Sequence, residues 1–172
     1  MNQLMKMALS LIAVVSIAST PTTTWAQTNK EHAELAGALK DVKFPLERAL
    51  SASGREGKPI SGKYEMEHGQ LQLSVYTMKG DHFSEVIVDH KTGKVAKTEE
   101  ITGGDDLAAA KAQREAMAKA KRSLGAAIGQ AVKDNAGYRA VSVTPTVKDG
   151  HPVADVTLVK GADWKSVPEK LD

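Results

Sequence analysis

Five histidines (His32, His68, His82, His90 and His151) are the side chains best suited to acid–base or ligand chemistry in this chain. Serine catalysis would need a hydroxyl nucleophile beside one of them and a carboxylate to orient it. No G-x-S-x-G elbow or comparable nucleophile setting accompanies any of the five. Metal binding needs converging ligands, as when two histidines at H-x-x-x-H spacing share one helix face, and that spacing does not occur. His68, His82, His90 and His151 fall in or beside expected turns, where a solvated side chain is the ordinary outcome. A copper or zinc contact by His68 with a neighbouring turn histidine stays open. Cysteine is absent, which excludes thiolate ligands, thiol nucleophiles and disulfides together. The expectation is a protein without catalytic residues, cofactor or metal, and hence not an enzyme.

Two other stretches invite a chemical reading and do not sustain it. Gly103-Gly104-Asp105-Asp106 lacks the Lys-Ser/Thr of a phosphate loop, and its carboxylates would repel phosphate; it reads as a linker ending in a helix cap. Lys111, Arg114, Lys119, Lys121 and Arg122 form a basic series partly balanced by Glu115. With a net charge of only +2, that series is a solvated helix face rather than a nucleic-acid stripe.

The N-terminus reads as an export signal. Lys6 supplies positive charge, Ala8 to Ala18 is uncharged and mostly apolar, and Thr24-Trp25-Ala26 places small residues at both critical positions before Gln27. The apolar run is too short for a membrane span, which needs about 20 residues. Without a cysteine there, a lipoprotein is excluded. A small, cysteine-free exported chain fits the bacterial periplasm better than a eukaryotic extracellular setting. The expected location is periplasmic or secreted after cleavage near Ala26, with no membrane span thereafter and no nucleic-acid partner.

Residues 27–32 are polar and read as frayed. Leu35, Ala38, Leu39 and Val42 are spaced as a helical stripe, and Leu46, Ala49 and Leu50 as a second, divided at Pro45. Gly54, Gly57 and Pro59 punctuate a loop. Alternation then predicts strands at Tyr64 to Glu67, Leu71 to Tyr76, Phe83 to Val88 and Lys94 to Thr98, joined by glycine turns. One long Ala-rich helix follows from Leu107 to about Ala136, capped by Asp105 or Asp106 and by Gly137, with a bend or break expected near Gly125 and Gly129, which weaken its middle. Strands return at Ala140 to Val147, Val153 to Val159 and Trp164 to Val167. Advancing by 81 positions superimposes the two sets of strands, Gly69 on Gly150 and Phe83 on Trp164, and advancing by 82 superimposes Leu46 on Ile128. The second copy is worn, with Pro168 where Ile87 stands in the first.

The stretch Glu85-Val86-Ile87-Val88-Asp89-His90-Lys91-Thr92-Gly93-Lys94-Val95 resembles the closing hairpin of the PepSY domain: a strand, an Asp-x-x-Thr-Gly turn, a charged residue and Val. The resemblance covers residues 35–98 and reaches 124–172 through the internal repeat. It implies an α+β fold of two tandem units, each a helix packed on a small antiparallel meander. The first unit spans 35–101; the second, degenerate and preceded by the linking helix, spans 105–172, after a signal peptide at 1–26. It also implies an exported binding module, since such domains accompany propeptides of secreted metalloproteases, where inhibition has been proposed. The expected partner is a secreted protease or another periplasmic protein. The alternative is a small-molecule or metal-ion carrier using the cleft between the units. If Leu71, Leu73, Val75, Val86 and Val88 face the helix, then Tyr76, Met78 and Ile87 face away and need a cover. Either the second unit supplies it, or these three residues form a partner-facing surface.

Overall fold

The computed structural model describes residues 23–172, with side chains from Lys30 onward. Residues 1–22, and with them the apolar core of the expected signal, lie outside the described residues. Helix α1 (Thr23–Ala38) runs into a single 3-10 turn, Leu39–Asp41. The stretch 27–32, expected to fray, is therefore helical, and the expected cleavage point after Ala26 falls within α1. Pro45 sits extended (φ −79°, ψ 152°) immediately before α2 (Leu46–Ala52), because its fixed φ suits a helix entrance and its missing N–H costs nothing there. Among the described residues, no helix is long and apolar enough to cross a membrane.

The strands are β1 (Lys58–Glu67), β2 (Gln70–Lys79), β3 (His82–Val88), β4 (Val95–Glu100), β5 (Arg139–Lys148), β6 (His151–Lys160) and β7 (Asp163–Lys170). They form one antiparallel sheet in the order β4-β3-β2-β1-β5-β6-β7. The β1 strand starts earlier than alternation suggested. A bulge between Pro59 and Ser61 interrupts the regular register where the sequence read as a loop. Hairpin turns at His68-Gly69 (φ 50° and 76°) and Asp149-Gly150 (φ 51° and 83°) take the left-handed conformation that matches strand twist.

The sheet is offset-symmetric in detail. Advancing β1 and β2 by 81 positions gives the bounds of β5 and β6. The bulge recurs between Ala140 and Ser142, and the pair Gly62–Val75 becomes Val143–Val156. Strands β1 and β5 meet through Gly62–Val143 and Lys63–Ser142. The offset maps the Gly62–Val143 pair onto itself, so a local two-fold axis passes through it.

The helix expected from Leu107 to Ala136 is broken in two, as expected, but upstream of the two glycines. Helix α3 (Gly104–Lys119) ends at Ala120, which is extended (φ −73°, ψ 136°), and α4 (Leu124–Asp134) begins after Ser123. The break avoids both helix glycines because Ser123 offers a cap: its hydroxyl accepts the Ala126 N–H at 3.1 Å. The N–H groups of Lys121 and Arg122, freed from any helix, donate to the Leu171 carbonyl at 2.6 and 2.9 Å. At the other end Gly103, not an aspartate, is the cap; Asp105 and Asp106 occupy the first turn, where the helix dipole favours them. Beyond Asp134 the C-cap is Asn135, while Gly137, with φ 84°, lies in the following turn.

The two faces of the sheet differ chemically. Tyr64, Leu73, Val75, Val86, Val88, Val143, Ala154, Val156 and Leu158 are buried on the face that carries α2 and α4. A side chain at Gly62 would meet Leu50 at 3.2 Å and Leu46 at 3.4 Å, which fixes that face as the helix side. Ser61, Lys63, Ser74, Tyr76, Ser142 and Thr144 lie on the other. That face is not covered by the second set of strands, which extends the first edge to edge. Helix α3 crosses it instead: Gln113 accepts the Ser61 hydroxyl at 2.7 Å, and the Arg114 guanidinium lies 5.4 Å from the Phe83 ring centre. This face mixes those polar residues with buried Phe83, and an Ala-rich helix can lie close over it.

Candidate functional site

The histidines are spread over several parts of the fold, with only His68 and His90 sharing a concavity among the described residues. His68 occupies its left-handed turn position, 3.2 Å from Glu67; His82 contacts Glu100 at 2.8 Å and His151 contacts Asp172 at 2.7 Å. The His151 contact holds the Asp172 carboxyl below its ordinary pKa. His32, on α1, stacks on Trp164 with ring centres 4.3 Å apart. His68 and His90 line one concavity with Leu71, Ile87 and Ala96. Among the described residues, no group of three or more His, Cys, Asp or Glu is placed to hold a metal ion.

The Asp-x-x-Thr-Gly turn has a packing role. Asp89 accepts the Lys91 and Thr92 N–H groups at 2.8 Å each, which draws its carboxyl below the ordinary range. Gly93 is left-handed (φ 73°), and a Cβ there would stand 2.3 Å from the Phe44 ring. Phe44 in turn accepts the Tyr64 hydroxyl through its carbonyl. Glycine is thus required twice over, by φ and by the ring, and the motif clamps the entrance of α2 to the β3–β4 hairpin.

Of the three residues expected to face away from the helix, Tyr76 is half-buried in a groove beneath α3, with the Lys63 ammonium 5.6 Å from its ring centre. The groove, about 280 Å³, lies over the local two-fold and is lined by Ser61, Lys63, Ser142 and Thr144 from the strands and by Asp106 and Gln113 from α3. Burial raises the Tyr76 pKa, with Lys63 opposing. For Lys63, burial acts downward, but the hydrogen bond and charge of Glu65 at 2.6 Å outweigh it and leave the ammonium above its ordinary value. Met78 is half-buried opposite Phe83, and Ile87 is half-buried between Ser74 of β2 and Lys97 of β4. The groove therefore brings in Tyr76 alone; Ile87 belongs to the concavity near the β4 edge.

The two edges of the sheet complete the surface. The N–H of Ile101 donates to Phe83 at 2.8 Å, so by strand alternation the backbone groups of Glu99 and Lys97 point inward and those of Thr98 and Glu100 point outward. All six residues of β4 are exposed. At the opposite edge the Leu171 N–H donates inward to Pro152, so Pro168 and Lys170 face outward. Pro168 has no N–H to offer, and the Lys170 carbonyl is taken by the Arg122 guanidinium at 2.9 Å. The C-terminal stretch of β7 is thus blunted, whereas by the same alternation Trp164 and Ser166 earlier in β7 keep outward backbone groups, as Thr98 and Glu100 do on β4.

Sequence inspection missed Ser61, Lys63, Ser142 and Thr144 because only the pairing of β1 with β5 brings them together. Their one legible signal is period-two alternation about Gly62 and Val143. A strand at Lys94 to Thr98 was legible, but not its place at the sheet edge, since edge position is decided by strand order. Compared with protein-family models, curated proteins and solved structures, the chain matches none.

Proposed function

We propose that this chain is an exported, non-catalytic module of two tandem PepSY-like units, the second degenerate, which binds an extended segment of a protein partner, with a secreted protease as the partner class. The observation that carries the reading is the exposed β4 edge: every residue of β4 is exposed and Thr98 and Glu100 present outward backbone groups, whereas β7 is blunted by Pro168 and Arg122 over its C-terminal stretch. Strand addition to an open edge draws affinity from main-chain hydrogen bonds and selectivity from side-chain pockets beside it. Ile87 and the concavity it shares with Leu71 and Ala96 lie next to that edge. The 81-position correspondence of β1–β2 with β5–β6, and the local two-fold between them, support the tandem-unit reading.

A photo-crosslinking residue placed at Ala96 or at Ser166 in the full exported chain tests the function. Adducts to a co-exported protein should form from Ala96 and be absent from Ser166, and the partner's proteolytic rate should fall on binding. Equal labelling from both positions would overturn strand addition at β4. Recovered protein should begin at Gln27 by intact mass; a membrane-associated species retaining Met1 would overturn the export assignment.

A second reading rests on the groove beneath α3, which lies between the two sets of strands and converges Lys63, Tyr76 and Asp106. It would take a small polar ligand. Native mass spectrometry of protein from the periplasm showing a bound small molecule, lost in Lys63→Ala, would favour it.

A further inference from the structure

The charges along β4 are sorted, and they specify the kind of segment its open edge accepts. At the C-terminal end of the strand, Glu85, Glu99, Glu100 and Asp106 line one open concavity of about 430 Å³. Glu85 and Glu99 face each other directly across the β3–β4 ladder, a like-charge pairing that disfavours the sheet. Glu99 has Lys97 at 2.8 Å, Glu100 has His82, and Glu85 has no salt-bridge partner among the described residues. At the other end, Lys91 and Lys94 are exposed around the Asp89 turn, whose carboxylate is already occupied by backbone N–H groups. Between these ends Val95, 37% exposed, Ala96 and half-buried Ile87 offer apolar contact. Read backwards along β4 the order is Glu100, Glu99, Thr98, Lys97, Ala96 and Val95, then Lys94 of the turn: acidic at one end, apolar and basic at the other, with Lys97 between them held by Glu99.

Resting on the function proposed above, we infer that β4 accepts an antiparallel peptide strand that is cationic in its first half, apolar at its centre and acidic in its second half. Every existing pair in the sheet is antiparallel, so an added antiparallel strand begins beside Glu99 and Glu100 and ends beside Lys94. A cation in its first half relieves the Glu85–Glu99 opposition, and the charge order fixes register and direction more than raw affinity. The open edge, with its outward Thr98 and Glu100 groups, supplies the hydrogen bonds.

The test uses the full chain and two fluorescent peptides of about nine residues, the length of a long strand. They share one composition, lysines before glutamates in one and glutamates before lysines in the other. Anisotropy titrations at low salt should show the lysine-first peptide binding roughly tenfold tighter, an advantage that shrinks as salt rises. Thr98→Pro, which removes an outward donor from an edge strand, should abolish binding of both. Glu99→Lys keeps every backbone donor and should erase the preference. Equal affinity for both peptides, lost in Thr98→Pro, would overturn the charge-order inference while leaving strand addition standing. Binding that survives in a folded Thr98→Pro, or no binding of either peptide, would sink both. Sedimentation showing self-association that Thr98→Pro abolishes would make the occupant a second copy and overturn the inference likewise.

Discussion

The first three strands and the last three share registers and bulges, and the first two of each set share bounds, yet the sets end differently. On one side β3 passes into the Asp89–Gly93 turn and acquires β4; on the other β7 carries Pro168 and is tied off by Arg122 and Leu171. The cores also diverge at matched positions: Gly62 stands where the second set has Val143, Tyr64 where it has Pro145, and Lys58 where it has Arg139. Each difference falls at a junction. Gly62 gives way to α2, Tyr64 anchors Phe44, and Arg139 donates to the Leu39 and Val42 carbonyls at 2.6 and 2.9 Å. Repetition therefore sets the strand frame, and the departures from it join the halves to each other and to the helices.

Matched core positions provide the hardest test of that equivalence. Leu46 and Ile128, both essentially fully buried, should each cost about 2–5 kcal/mol on truncation to alanine, by lost transfer energy plus cavity. Urea melts that gave one variant a large loss and the other less than about 1 kcal/mol would break the equivalence of α2 and α4.

The Tyr64–Pro145 difference should appear at high pH. Burial pushes the Tyr64 hydroxyl up to about 12, with Arg139 opposing. The native state then keeps a proton that the unfolded chain releases near its ordinary pKa of about 10. Its contribution is complete below about pH 10 and is lost as pH rises toward 12, on the order of 2 kcal/mol in all. Stability measured across that window should fall in wild type and flatten in Tyr64→Phe. An identical slope in both would remove Tyr64 from the account. Pro145, its counterpart, does not titrate.

Gly62→Val copies the second half into the first and should destabilise by about 1–3 kcal/mol, because the added carbons press on Leu46 and Leu50. A neutral or stabilising result would show that α2 can step back to admit the added carbons. The smallest effect sharpens the helix ends: α4 has a side-chain cap and α2 has none, so Ser123→Ala should cost about 1 kcal/mol in thermal or urea melts. No measurable change would indicate that the Lys121 and Arg122 links to Leu171 hold the break by themselves.

Much of the local structure was legible from residue order. Alternation placed strands in all seven segments, and turn glycines at 69, 80, 150 and 161 adopt the positive φ that their hairpins require. The break between α3 and α4 was misplaced because a propensity argument pointed to Gly125 and Gly129, while the Ser123 cap and the Leu171 carbonyl decided it. Pattern could state that Tyr76, Met78 and Ile87 leave the helix face, since side-chain direction has period two. It could not state what lies over them. Strand order, the pairing of β1 with β5, the path of α3 across the sheet and the blunting of β7 by Arg122 all depend on contacts between residues far apart in the chain. Those contacts are chosen by the competition of surfaces for burial and of backbone groups for partners, and no local window contains both competitors.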